Sequence, residues 1–154
     1  MTAPQRPAPP PISTALRPVL GVMAGLGVAV VIDAVGVFAS TFAAAAAQGT
    51  RDVDQFVAPS WTFPTHLLIY AVGAAAGGAV TARMTAERSA YSVFLLALIL
   101  LMSAVGPLLR HVPPAPGQPQ WFALALVFVN PLAALTAGLL TRRADARRRA
   151  ASAS

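Results

Sequence analysis

Cysteine and lysine are both absent from this 154-residue chain, and charge of either sign is scarce. Without cysteine there is no disulfide framework, no thiolate metal site and no redox thiol. With only two histidines and five acidic residues, a metal centre has few ligands to draw on. Only 10% of the residues are charged, against about a quarter in a soluble domain, and that excludes an ordinary water-facing globular surface. The longest stretches outside the apolar blocks are roughly 15 to 20 residues, too short for a second core. What is there instead is apolar: 56% hydrophobic residues and a mean hydropathy of +0.67.

That hydrophobicity lies in four blocks. About 20 apolar residues at 1.5 Å each cross a hydrocarbon core, and the blocks at 18–43, 64–82, 91–109 and 120–141 each read as one crossing. The fold class is therefore an all-α membrane protein, with four transmembrane helices in an antiparallel bundle occupying 17–143. Pro18 and Pro64 suit first helical turns, and Ser89 suits an N-cap. Residues 1–16 hold Pro4, Pro7, Pro9, Pro10 and Pro11, which favour an extended, disordered tail. A cleaved signal peptide competes for the first block, since Ala43–Ala47 offer small-residue cleavage sites. The block is too long for that reading, and Asp33 interrupts it. In the loop that follows, Val53, Phe56 and Val57 recur at helical spacing and predict a short interfacial helix over 50–57. Trp61 and Phe63 suit an aromatic belt. The run Pro113-Pro114-Ala-Pro116-Gly117-Gln-Pro119 predicts a stiff, tight loop before the fourth block.

The net charge of +6 follows topology rather than nucleic-acid binding. All eleven basic residues are arginine. With the N-terminus inside, Arg6, Arg17, Arg83, Arg88, Arg142, Arg143, Arg147, Arg148 and Arg149 are cytoplasmic, and only Arg51 and Arg110 are outside. That asymmetry over short loops places both termini in the cytoplasm. The terminal segment 144–154 reads as a basic, solvated tail, and its arginines are also suited to anionic lipid or a polyanionic partner.

Few polar side chains enter the blocks. Asp33 lies about 20 Å from the cytoplasmic edge, Tyr70 and Ser103 about 18 Å, and Asn130 about 17 Å, on the helical rise. His66 sits one turn further out than Tyr70. A carboxyl in the apolar layer needs company, because a charged acid there costs a few kcal/mol. With no basic side chain at its depth, Asp33 is expected to be neutral and hydrogen-bonded to Asn130, Tyr70 or Ser103. Such a cluster either clasps the helices in register or, with His66, handles protons or cations. The clasp needs fewer titratable groups and is the simpler reading. His66 alone reads as an interfacial polar residue, and Asn130-Pro131 as a proline kink with a capping amide.

Small residues form the most coherent pattern. Gly21-x-x-x-Gly25, Gly36-x-x-x-Ser40, Gly73-x-x-x-Gly77 and Ala134-x-x-x-Gly138 put small side chains on one helix face. In lipid, close backbone approach takes over from hydrophobic drive as the basis of helix packing. These faces serve packing within the chain or against a partner.

The segments Gly77-Gly78-Ala-Val-Thr-Ala-Arg83, Trp121-Phe122, Pro131, Ala137-Gly138-Leu-Leu and Arg142-Arg143 resemble those of small four-span inner-membrane proteins of bacteria, a class without established chemistry. The resemblance covers about half the chain and implies a multi-pass protein of the bacterial inner membrane. The acid in the first span also resembles that of the small multidrug resistance family, where Asp33 would match by role. The proline-rich tail, the long first loop and the charge bias depart from that family. No Ser/His pair, HExxH or paired acid points to an enzyme, and no cofactor or metal is expected. The expected function is that of an accessory or assembly subunit packing against a larger membrane complex, or a homo-oligomer, in the lipid bilayer and without nucleic acid. A small transporter or proton-coupled component using Asp33 is the alternative.

Overall fold

The computed structural model describes residues 12–49, 57–85, 89–110 and 117–152, with side chains from Leu16 onward. Four helices account for nearly all of them: α1 (Ile12–Gln48), α2 (Thr62–Thr85), α3 (Ser89–Leu109) and α4 (Gln120–Ser152). Each is long and apolar enough to cross a membrane.

The helices overrun the apolar blocks that predicted them. α1 begins at Ile12, so Pro18 falls inside the helix rather than in its first turn, and residues 12–16 are helical rather than part of an extended tail. α4 continues to Ser152 through the arginine run. Hydropathy marks where a helix meets lipid and says nothing of where it stops. Alanine and arginine are strong helix formers, so a helix leaving the membrane can run on into water. α4 also passes through Asn130-Pro131 as one helix, although Pro131 donates no backbone bond. The predicted interfacial helix at 50–57 lies outside the described residues apart from Val57, which is not helical.

Glycine closes two element boundaries. Gly49, at a φ of 65°, ends α1 with its N–H donating to the Ala46 carbonyl at 3.2 Å. Gly117 precedes α4 at a φ of 80°. Both values lie in the left-handed region that glycine enters without a Cβ penalty.

α2 is the central element and touches all three others. A buried cluster of Val22, Ala74, Leu96, Leu100 and Ala134 joins one or two residues from each helix. Near the start of α2 and α4, Phe63 packs edge-on to Phe122, with centroids 5.7 Å apart. Phe63 is therefore core, whereas Trp61 and Trp121 at the same end stay exposed. α1 is sparsely covered by the rest of the bundle. Val19, Val30, Val31, Val35, Phe38 and Phe42 are all more than half exposed, which suits contact with lipid.

Candidate functional site

The site is built on the seam between α1 and α2. Down α1 the seam reads Gly21, Gly25, Ala29, Asp33, Gly36 and Ser40, three or four residues apart, so all lie on one face. Their opposite numbers on α2 fall in order as α1 rises. Gly21 meets Thr85, Gly25 meets Thr81 and Gly77, Asp33 meets Gly73, Gly36 meets Ile69, and Ser40 meets His66. A Cβ on Gly25 would run into the Gly77 carbonyl and the Thr81 hydroxyl, and one on Gly73 would strike the Asp33 carboxylate. The two backbones are this close only because the positions carry no side chain. The hydroxyl of Thr81 donates to the Gly21 carbonyl at 3.1 Å across the seam.

Every glycine singled out from the sequence is used inside the chain. Gly21, Gly25 and Gly36 face α2, and Gly73 and Gly77 face α1. Gly138 faces Val93 of α3 and the Gly78 carbonyl of α2. Gly78, named in the sequence resemblance but not among the packing positions, has a missing Cβ that admits the Ala134 backbone. It sits beside Gly77, so that one glycine of the pair serves α1 and the other α4. The adjacency was the available signal.

Asp33 occupies the seam where a small residue would otherwise sit. Its Oδ1 is buried and has no hydrogen-bond partner among the described residues. On its open side a groove of about 520 Å³ runs along α1, lined by Val30, Asp33, Phe38 and Thr41 with Tyr70 from α2. Val30 and Phe38 are more than half exposed, so the groove opens away from the bundle. Two turns further along α1, His66 Nε2 lies 2.9 Å from the Ser40 hydroxyl and 3.5 Å from that of Thr41. Asp33, Tyr70, Thr41, Ser40 and His66 therefore form a polar row on one side of the α1–α2 pair.

The remaining two expected members lie elsewhere. Asn130 is buried on α4, one turn from Ala134 on the face that meets α2, and its Oδ1 also has no partner among the described residues. Ser103 is exposed on α3, and its hydroxyl donates to the Leu100 carbonyl of its own helix at 2.8 Å. Equal depth thus brings Tyr70 beside Asp33 and leaves Asn130 and Ser103 on other helix faces. Depth along a helix is linear in residue number, but facing depends on rotation. Four side chains at one level can point in four directions. Among the described residues, no three His, Cys, Asp or Glu side chains gather as metal ligands.

Comparison of the chain with family models, curated proteins and solved structures gives no match.

Proposed function

We propose that the protein is a non-enzymatic subunit that docks another transmembrane helix against the α1 side of its α1–α2 pair, with Asp33 as the polar anchor. The observation carrying this reading is Asp33, whose side chain lines an outward-opening groove at membrane depth while its Oδ1 is packed against Gly73 in the seam, unpartnered among the described residues. A carboxyl in the apolar layer costs several kcal/mol unless it is hydrogen-bonded, and a donor on a helix seated in the groove reaches the carboxyl from its open side and reduces that cost. The glycine faces are already filled by the chain's own helices, so the docking surface is the lining of this groove. The order of contacts along the helix pairs supports an antiparallel bundle. The arginine distribution supports cytoplasmic termini and, with the sequence resemblance, the bacterial inner membrane.

The polar row from Asp33 to His66 favours a second reading, a proton-handling component. Beyond Asp33 toward the arginine-rich end, the seam offers Ala29 and the Gly25–Gly77 contact before the hydroxyls of Thr81 and Thr85, so the row is interrupted for about two helical turns without a polar side chain. That favours the anchor over a through-path.

Purification of the full chain from its native host in gentle detergent, followed by mass spectrometry, tests the proposal. A defined membrane-protein partner is expected with the native chain. It is expected to be retained in part by Asp33→Asn, which still hydrogen-bonds, and lost by Asp33→Leu at normal protein level. A chain that runs alone as a monomer would sink the docking reading. Full partner capture by Asp33→Asn with loss of host function would instead assign the role to titration.

A further inference from the structure

At the arginine-rich end of the bundle, a second concavity lies where α2, α3 and α4 meet. It measures about 220 Å³, and its walls include Arg83 of α2, Ser89 of α3, and Arg142, Asp145 and Arg149 of α4. Arg142, Asp145 and Arg149 are three or four residues apart and share one face of α4. Ser89 is 1% exposed, and its hydroxyl has no hydrogen-bond partner among the described residues. It is the first residue of α3, so the free N–H groups of that helix's opening turn lie beside it. One turn on, Ser92 is fully buried and its hydroxyl is equally unpartnered.

We infer that this niche binds a phosphate group, held by Arg83, Arg142 and Arg149 and by the Ser89 hydroxyl at the α3 N-terminus. Among the described residues, three guanidinium groups stand against one carboxylate, which leaves these walls cationic. Guanidinium forks and a helix N-terminus are both matched to phosphate oxygens. Asp145 lies among the arginines on the same helix face and lowers the net charge. The depth fits the headgroup layer, because the same arginines mark where α2 and α4 leave the apolar zone. An anionic phospholipid presents its phosphate at that level, and free inorganic phosphate shares the chemistry. This inference rests on different residues from the Asp33 groove and stands or falls separately from it.

The test is native mass spectrometry of the detergent-solubilised full chain, titrated in separate arms with phosphatidylglycerol, phosphatidylcholine and inorganic phosphate. Retention of phosphatidylglycerol over phosphatidylcholine assigns a lipid headgroup, and retention of inorganic phosphate alone assigns the free ion. The variants Arg142→Gln and Arg149→Gln are each expected to weaken retention about fivefold, the weight of one arginine near anionic headgroups. Ser89→Ala, which removes no charge, is expected to weaken it measurably. Arg147→Gln with Arg148→Gln removes two charges from the same helix outside the niche and is expected to leave retention near that of the native chain. If that control loses as much as the niche variants, or if Ser89→Ala changes nothing, the binding is diffuse electrostatics and the built site is refuted. Absence of retention in all three arms refutes it as well.

Discussion

At the scale of the residue, the useful distinction is between polar groups that the bundle satisfies and those that it leaves open. Ser103 and His66 illustrate the first class in different ways. Ser103 returns its hydroxyl to its own helix, so Ser103→Ala is expected to leave stability within about 0.5 kcal/mol of native. His66 bridges to α1, and His66→Ala is expected to cost about 0.6 kcal/mol, a typical interhelical hydrogen bond in lipid. Reversible unfolding in mixed micelles separates the two, and a larger loss for Ser103→Ala would contradict the placement of both. Asp33 belongs to the second class. Its exceptional character was legible in the sequence, as the lone acid of the first apolar block. Its neighbours were only partly legible, because residue counting gives depth while the rotation of each helix is set by packing that no single segment encodes.

At the scale of the element, the α1–α2 pair is specified by what its side chains leave out. The spacing of Gly21, Gly25, Gly73 and Gly77 announced tight packing, and the sequence left open whether the partner was internal. The answer lies in shape. Gly25 and Gly77 approach each other backbone to backbone, and Gly21 receives Thr85, so each face fits the other. Gly25→Leu is therefore expected to destabilise the fold by about 1–3 kcal/mol through overpacking. Gly27→Leu, two residues along the same helix, has nothing within 4 Å of its Cβ position and is expected to be silent. Thermal unfolding of the two variants in one detergent checks the ranking, and equal losses would mean that α1 does not pack on α2 in this register. Helix ends were the least legible feature. Hydropathy fixed α3 to within two residues at its start but missed eleven residues of α4, because Arg-Ala sequence is polar and strongly helical at once.

At the scale of the whole molecule, charge asymmetry and the aromatic residues bear on the same question of orientation. The exposed Trp61 and Trp121 sit at one end, where α2 and α4 start, and the exposed Tyr91 opens α3 at the other. Such residues settle at headgroup level on both sides of a bilayer. Nine of the eleven arginines lie at the Tyr91 end or in the two terminal segments, so that end is expected to face the cytoplasm. The absence of cysteine makes this directly measurable, since any single cysteine introduced is the only thiol in the chain. Ser60 and Arg110 are exposed near the tryptophan end, and Ser152 is exposed at the close of α4. In intact cells with the labelled membrane accessible from outside, Ser60→Cys and Arg110→Cys are expected to react with a membrane-impermeant maleimide. Ser152→Cys is expected to react only after permeabilisation. The reverse pattern would invert the bundle and place the phosphate niche on the outer leaflet. Partial reaction at all three positions would mean two orientations, which the arginine count argues against because short loops with a one-sided excess of arginine are held on the cytoplasmic side. The three positions sample the α1–α2 loop, the α3 end and the α4 end independently, so a consistent set of labels fixes the direction of every crossing.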